Sequence, residues 1–440
     1  MALIQRLSEQ IFAVLVLFFY TGGILPFIGK GHPLEPLTLV LPHAVAVAAL
    51  LLLLTRWEKT LASFGRSPLF WLMMTIVVVS PFWSDSPNAT WGEIAPLLRV
   101  TLFSLYLVSR YSLREILQIS GWALGLAALL SLVFGALLPA YGVMGQGYVG
   151  QSQDWTHEGS WRGIYVHKVF LGTVMAASIL VSLYLTSWKN PLRPLALIAS
   201  AIALISLLMS TTKAALLILV VMIGCIPIYR SFRWKPKQLA AFLAVGLPLT
   251  VFITGAVLSN ASRILQAFGK TTTLSGRTEI WPLVIESISR RPWFGYGYES
   301  FWLNGWEGQA ANIWVYLPRG FEPPHAHNGF LDVLLSFGIV GFVVFLLNLV
   351  GFGWRACRWI RANPGVDGLV PLMFLTFMLL LNITESFWFN SDILWVGYVT
   401  LALTMAQKTH QPHLKLYLMP NASPVSPPNA WAEAIAQCHE

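Results

Sequence analysis

Long apolar stretches alternate with short polar ones along most of the chain. A membrane-spanning helix needs about 20 mostly apolar residues, and stretches of roughly that length occur twelve times. They lie near residues 10–29, 36–55, 68–83, 92–109, 115–138, 163–186, 193–210, 213–229, 238–258, 327–350, 366–383 and 391–407. The pattern predicts an all-α polytopic integral membrane protein with about twelve transmembrane helices.

The composition supports a membrane protein and excludes an ordinary soluble domain. Hydrophobic residues make up 56% of the 440 residues and charged residues only 11%, whereas soluble domains carry about 25% charge. The mean hydropathy is +0.65. No sequence resembling a signal-peptidase site follows the first apolar stretch before Lys30, so we expect a retained helix.

Basic residues concentrate in every second loop, which predicts the orientation in the membrane. These residues are Arg56, Lys59, Arg66, Arg110, Arg114, Lys189, Arg193, Arg230, Arg233, Lys235, Lys237, Arg355, Arg358 and Arg361. The alternate short loops carry little beyond Lys30 and Arg162. We therefore expect both termini to be cytoplasmic. The net charge of +9 then reflects topology and not a nucleic-acid surface.

The chain reads as one transmembrane domain, residues 1–407, followed by a flexible cytoplasmic tail, residues 408–440, that is rich in proline. Two outer loops, 139–162 and 259–326, are too long to be simple connections. Within the second, the spacing of apolar residues predicts a short amphipathic helix from Thr278 to Arg290, on the membrane surface or over a cavity. The three cysteines lie on the predicted cytoplasmic side, where disulfides are not expected.

Several cations lie on the predicted outer side, where basic residues are scarce. They are Arg99, Arg162, Lys168, Lys213 and Arg277. Such residues usually face a bundle interior or a water-filled cavity, and together they can surround one cavity that binds a polyanion such as a lipid-linked phosphate or pyrophosphate. Alternatively, Arg99 and Lys168 extend to the membrane interface. Arg290 and Arg291 are expected to be surface residues.

Two histidines and an amide, His325, His327 and Asn328, stand immediately before the apolar stretch that begins at Gly329. An imidazole takes up or releases a proton near neutral pH, so it can act as a general base. We expect His327 to be that base, with Asn328 orienting it. His325 should point elsewhere if the helix has already begun. The alternative is an interfacial histidine that only anchors a helix end.

Other kinds of catalytic site have no signature in the sequence. The chain has no P-loop for a nucleoside triphosphate, no D-x-D pair for a sugar nucleotide with its metal, and no Cys/His cluster with zinc spacing. We therefore expect no metal and no cofactor. The energy for any transfer must come from the substrate, and a sugar on a lipid pyrophosphate supplies it because pyrophosphate is a good leaving group.

Several motifs resemble the O-antigen ligase and polymerase superfamily. HNGFLDVLLSFG (327–338) resembles its signature of His-Asn followed by glycine. SGRTEIW (275–281), GYGYESFW (295–302), VSPFWSDSPNATW (79–91) and WRGIYVHKVFLG (161–172) resemble its exopolysaccharide-polymerase branch, typified by succinoglycan polymerisation. Val169 departs from the asparagine usual in that branch, while Lys213 is normal for it. The resemblance covers residues 75 to 345.

The resemblance implies a metal-independent, inverting glycosyltransferase that polymerises undecaprenyl-pyrophosphate-linked repeat units of an exopolysaccharide or O-antigen at the periplasmic face. It implies that cations hold the pyrophosphate and that His327 activates the acceptor hydroxyl. Carried onto this chain, the cations are Arg277, Lys213 and Lys168, with Arg162 and Arg99. A flippase and a chain-length or export protein are the implied partners.

Two other functions remain open. A ligase that moves finished glycan onto a lipid core needs the same donor site and differs only in its acceptor. A twelve-helix transporter for an anion or other solute is the alternative from a different class. A transporter would normally place its charged site near the membrane midplane, whereas the candidate residues here crowd one face.

Overall fold

The computed structural model describes residues 2–23, 27, 35–55, 65–145, 157–187, 192–233, 237, 276–317 and 322–408. The helices in these residues are α1 (Ala2–Phe19), α2 (Glu35–Leu54), α3 (Pro68–Val79), α4 (Pro87–Arg110), α5 (Leu113–Leu137), α6 (Pro139–Gly142), α7 (Lys168–Thr186), α8 (Arg193–Met209), α9 (Lys213–Gly224), α10 (Ile226–Ser231), α11 (Arg277–Arg290), α12 (Ala311–Trp314), α13 (Gly329–Ala362), α14 (Val370–Thr384) and α15 (Ile393–Lys408). Single 3-10 turns occupy Ser80–Phe82, Gly305–Glu307 and Val366–Gly368.

The all-helical, multi-span architecture agrees with the apolar pattern. Among the described residues, six helices are long and apolar enough to cross a membrane. They are Glu35–Leu54, Pro87–Arg110, Leu113–Leu137, Lys168–Thr186, Gly329–Ala362 and the combined stretch Lys213–Ser231. Shorter apolar helices, together with α1, lie on five further predicted spans. The span at 238–258, residues 259–275 and the tail beyond residue 408 lie outside the described residues, so the number twelve stays a prediction.

Local sequence explains where several helices begin. Ser112 and Glu115 form a capping box at α5: each side chain bonds the backbone N–H of the other residue. Asn328 caps α13, where its side-chain oxygen accepts from the N–H groups of Phe330 and Leu331 at 3.0 and 3.2 Å. In both cases, a hydrogen-bonding side chain just before the apolar run fixes the start of the helix.

The two ends of the helix bundle differ in the polar contacts they make. At the end that carries the basic loops, Arg110 and Arg114 pair with Glu9 and Asp367. Arg233 at that end donates to four backbone carbonyls in residues 360–365. The opposite end holds the starts of α7, α9, α11 and α13 and the ends of α8 and α14, which are joined by the contacts described below. Four of the cations predicted to line the outer cavity, Arg162, Lys168, Lys213 and Arg277, belong to segments at this second end, whereas Arg99 lies near the middle of α4.

The predicted amphipathic helix corresponds to α11. Ile280 and Val284 are fully buried there, in a small core with Tyr296, Phe301, Ile313 and Leu335. The apolar face of α11 thus packs against protein, on the first turns of α13 and the segment 296–317. Glu286 and Arg290 on the opposite face form the expected i,i+4 pair, at 2.7 Å.

Helix α13 is broken at Gly338, which has φ +61° and ψ −166°. The segment 292–297 docks into this break. The N–H groups of Tyr296 and Gly297 donate to the carbonyls of Leu335 and Ser336, at 2.7 and 3.0 Å, and Ile339 donates to Pro292 at 2.7 Å. A Cβ at Gly338 would lie 2.3 Å from the backbone of Trp293. The glycine that follows His-Asn in the motif HNGFLDVLLSFG is therefore the position where the segment 292–297 meets the helix.

Candidate functional site

The histidine-bearing turn immediately before α13 has a constrained conformation. His327 has φ +50°, a conformation uncommon for residues other than glycine. Its N–H donates to Nδ1 of His325 at 3.1 Å. The carbonyl of Ala326 accepts from the indole N–H of Trp281 at 3.0 Å. Helix α11 and His325 therefore hold the backbone on both sides of His327.

Glu385, the residue after α14, contacts His327 directly. One oxygen of its carboxylate lies 3.1 Å from Nδ1 of His327, and the other accepts from Nη2 of Arg277 at 3.0 Å. Arg277 also donates to the carbonyl of Thr384. The N–H of Gly329 donates to the Glu385 carbonyl at 3.0 Å. One acidic residue thus joins the predicted base to a predicted phosphate-binding cation.

The contacts of Glu385 favour its ionised form. Burial by itself would raise the pKa of Glu385, but the hydrogen bond from His327 and the positive charge of Arg277 bring the pKa below the usual value. An ionised carboxylate only accepts hydrogen bonds, so the proton on neutral His327 is at Nδ1. Nε2 is then the atom with a lone pair, able to accept a proton from a bound hydroxyl.

Asp332, one turn into α13, fixes the loop before α13 and the loop after α14 relative to each other. Its carboxylate accepts from the N–H of Ala326 at 3.1 and 3.2 Å, from the indole N–H of Trp302 at 2.7 Å and from the hydroxyl of Ser386. Ala326 precedes His327, and Ser386 follows Glu385. Asp332 therefore sets the separation of the histidine and its carboxylate partner without contacting either.

The structure does not meet the condition stated for His325, a helix that has already begun. The helix begins at Gly329, so His325 does not point elsewhere: its ring lies 4.3 Å from that of His327, edge to face. Burial is the largest cause that lowers the pKa of His325, to about 4. His325 is thus a neutral hydrogen-bond acceptor that supports the turn.

Asn328 occupies a different place from the one expected. Its side-chain oxygen makes the two capping bonds at the start of α13, while the contact at Nδ1 of His327 comes from Glu385. Asn328 therefore acts on His327 through the backbone, because it fixes where the helix begins.

Lys168 and Lys213 begin the neighbouring helices α7 and α9. The hydroxyl of Thr212 donates to the carbonyl of Lys168 at 3.0 Å, and Nζ of Lys168 donates to the hydroxyl of Thr211 at 3.3 Å. Thr211 has φ +54°, so the turn between α8 and α9 is strained. These contacts bring both lysines to one junction of helix ends.

The lysine junction adjoins the histidine site. The ring of Phe170, in the first turn of α7, lies 5.8 Å from the ring of Phe387, two residues after Glu385. His167, the N-cap of α7, accepts from the N–H of Val169 through its Nδ1. The structure therefore brings Lys168, Lys213, Arg277 and His327 to the same end of the bundle.

Arg162 and Arg99 lie in other surroundings. Arg162 is only 2% exposed: its Nε donates to the carbonyl of Tyr141 at 2.8 Å, and its guanidinium lies 5.3 Å from the ring centre of Phe27. Nη1 of Arg99 lies 3.1 Å from Nε2 of His43 on α2. Arg162 thus secures the loop after α6, and Arg99 faces α2.

Three of these groups also have the identity of metal ligands. His325, His327 and Glu385 each offer a ligand atom, and the three atoms lie within 4.8 Å of one another. However, Nδ1 of His325 accepts a backbone N–H, and the Glu385 carboxylate is shared with the guanidinium of Arg277. A cation there would compete with the arginine, so the arrangement suits proton transfer better than a metal.

Comparison with known proteins points to one superfamily. Residues 198–346 match the family model described as O-antigen ligase. The chain is also 24% identical over 361 residues to the exopolysaccharide production protein ExoQ of Rhizobium meliloti (strain 1021), an alignment that covers 74% of this chain and 79% of that protein. The resemblance to the O-antigen ligase and polymerase superfamily, in its exopolysaccharide branch, is confirmed.

The family match covers only part of the site. It includes Lys213, Arg277, His327 and the break at Gly338, and it ends before Glu385. Glu385 and Asp332 were missed by the sequence analysis, which considered only cations on the outer side. An acidic residue at or inside the outer end of an apolar span is equally costly, and that signal would have found both.

Proposed function

We propose that this protein is a membrane glycosyltransferase that polymerises undecaprenyl-pyrophosphate-linked repeat units of an exopolysaccharide or O-antigen. The superfamily and the similarity to ExoQ support an exopolysaccharide function of the ligase and polymerase type. The observation that carries the proposal is the connection from His327 through Glu385 to Arg277. It couples a proton acceptor to a cation suited to a phosphate leaving group.

The reaction proceeds by one displacement. The acceptor hydroxyl attacks the anomeric carbon of the donor sugar while its proton passes to Nε2 of His327. The bond from that carbon to the phosphate oxygen breaks, and the lipid pyrophosphate leaves with the bonding electron pair. Because attack and departure occur on opposite faces, the anomeric configuration is inverted. Glu385 stabilises the imidazolium that forms.

Cations stabilise the charge that develops on the pyrophosphate. Arg277 is held at the carboxylate beside His327, and Lys168 and Lys213 approach from the adjoining junction of α7, α8 and α9. Arg162, which is buried against Tyr141, and Arg99, which faces His43, complete the proposed set of cations. No metal is needed in this scheme.

The proposal includes a location and partners. The histidine end of the bundle faces the periplasm and the end with the basic loops faces the cytoplasm, with the protein in the bacterial inner membrane and both termini cytoplasmic. A flippase supplies the lipid-linked repeat units, and a chain-length or export protein receives the polymer. The arginine-rich contacts at the opposite end, with Glu9, Asp367 and the carbonyls of 360–365, support this orientation.

The test is a reconstitution of purified protein in liposomes with fluorescent carrier-linked repeat units in the presence of EDTA. A ladder of products spaced by one repeat unit is the expected result. A single adduct formed only when a lipid-core acceptor is added would identify a ligase. Movement of a small anion or another solute across the bilayer without any glycan product would identify a transporter.

A further inference from the structure

An exposed tryptophan lies beside the chain segment that leads into the histidine turn. Trp306 is 56% exposed, although its indole N–H donates to the carboxylate of Glu322 at 2.9 Å. Its ring meets Trp314 edge to face, with 5.5 Å between the ring centres. Two contacts therefore hold the indole in one orientation while it stays open to solvent.

The buried side chain of Trp314 supports this indole. Trp314 is 8% exposed and its indole N–H donates to the carbonyl of Pro323 at 3.2 Å. Ile313 and Leu317, on either side of it, are buried in the small outer core. Because the Trp306 ring is held against these buried residues, it can bind a ligand with little further loss of conformational freedom.

Polar side chains follow Trp306 closely along the chain. Gln309 accepts from Asn312 at 3.1 Å and donates to Asp85 at 2.8 Å. In residues 304–316 and 322, all described, the carboxylate side chains are Glu307 and Glu322, both exposed, and these residues include no Lys, Arg or His. A flat aromatic ring edged by carboxylates and amides is what a sugar requires, because its C–H face stacks on the ring and its hydroxyls bond the polar groups.

The exposed face of Trp306 lies close to the proposed site of reaction, because few residues separate Glu322 from the histidine turn. Glu322 precedes His325 by three residues, so their Cα atoms are at most about 10–11 Å apart. An oligosaccharide of a few rings spans that interval. A glycan whose terminal hydroxyl reaches His327 can therefore lay its following sugars on Trp306.

We propose that Trp306, held by Glu322 and Trp314, is a subsite that binds sugars of the growing glycan, away from the reacting hydroxyl. This inference rests on the proposed polymerase function, because the glycan must be the chain undergoing extension. A membrane-interface role for Trp306 is the competing idea, since Trp and Tyr anchor proteins at lipid headgroups. The direct partner of the indole is the carboxylate of Glu322, which favours the glycan, because the side chains that accompany interfacial anchors are Lys and Arg.

The test measures binding of free sugar, so it does not depend on glycosyl transfer. The probe is a set of oligosaccharides made by partial hydrolysis of the polymer from cells that carry this protein. Binding to the full-length protein in nanodiscs is measured by saturation-transfer NMR and calorimetry. We expect affinity to rise with the number of rings. Trp306→Ala should weaken binding about tenfold, the effect of losing one stacked ring.

Three further variants make the result decisive. Trp306→Phe keeps an aromatic face and should retain most of the affinity even if Trp306→Ala folds poorly. Glu322→Gln should weaken binding less than Trp306→Ala, because an amide can still accept from the indole. Trp293→Ala is the matched control: Trp293 is 64% exposed but lies at the break in α13, and its loss should leave sugar binding unchanged.

The outcomes separate the two ideas. In the polymerisation assay, Trp306→Ala should shorten the products. Wild-type affinity in Trp306→Ala would overturn the proposal, and so would an equal loss of affinity in Trp293→Ala. A membrane anchor would give a different result. The melting temperature of Trp306→Ala would then fall further below that of the wild type in bilayers than in detergent, and sugar binding would be unchanged.

Discussion

Glu385→Gln tests the link between the histidine and the arginine. Glutamine keeps the size of the side chain and one oxygen acceptor, but it removes the charge that both His327 and Arg277 contact, at 3.1 and 3.0 Å. A hydrogen bond to a charged group is worth about 1.5–3 kcal/mol. Since a tenfold change in rate corresponds to about 1.4 kcal/mol, kcat should fall roughly 10- to 100-fold.

The loss should appear in kcat and not in the KM of the donor. His327 becomes positively charged only as the proton is transferred, so the carboxylate stabilises the transition state more than the bound substrates. Turnover is measured with purified protein and carrier-linked repeat units.

Glu286→Gln is the matched control for this variant. Glu286 also pairs with an arginine of α11, Arg290, at 2.7 Å, but both side chains are more than half exposed. Such pairs contribute less than about 1 kcal/mol, and neither residue contacts His327. Glu286→Gln should therefore turn over normally. Wild-type turnover by a well-folded Glu385→Gln protein would refute the assigned role of the carboxylate.

Three other predictions concern the turn, the helix break and acid stability. His325→Asn should keep most of the turnover, because an asparagine side chain accepts the N–H two residues on, whereas His325→Ala should lose about fivefold; equal turnover of the two variants would contradict this. Gly338→Ala should destabilise the protein by about 1–3 kcal/mol, since φ is +61° and the new Cβ meets the backbone of Trp293. Gly353→Ala is the control, because its new Cβ meets only the Leu375 side chain at 3.5 Å. Thermal melts should show a lower melting temperature for Gly338→Ala than for Gly353→Ala, and equal values would contradict this prediction. The pKa of Glu385 lies below its ordinary value of 4.5, so the stability that its carboxylate contributes is present above pH 4.5 and is lost as the pH falls through the folded-state pKa. The difference in melting temperature between wild type and Glu385→Gln should therefore shrink under acid. A constant difference would argue against an ionised carboxylate.

Much of the helical architecture could be predicted because long apolar stretches are a strong signal. The same reasoning placed Arg277 and His327 on one side of the membrane, although 50 positions separate them in the chain. It did not predict that both contact one carboxylate. That contact depends on where α14 ends relative to the start of α13, which is a matter of tertiary packing.

The break in α13 illustrates a second limit. Gly338 lies in an apolar stretch, and glycine is common in membrane helices, so nothing local distinguishes it from an ordinary helical position. The break requires the docked segment 292–297, whose N–H groups occupy the carbonyls of Leu335 and Ser336. Likewise, Arg162 resembled a cavity cation in the sequence, and only its packing against Tyr141 and Phe27 shows that it is buried.

The central claim is that His327 is the general base, and its replacement tests that claim most directly. His327→Asn suits the measurement, since asparagine tolerates the positive φ of +50°, and His327→Ala is made alongside it. Both proteins should insert and bind carrier-linked glycan, while the rate of polymer formation falls about 10²–10⁴-fold. Near-normal turnover by His327→Asn would contradict the account and leave His327 as the anchor of a helix end.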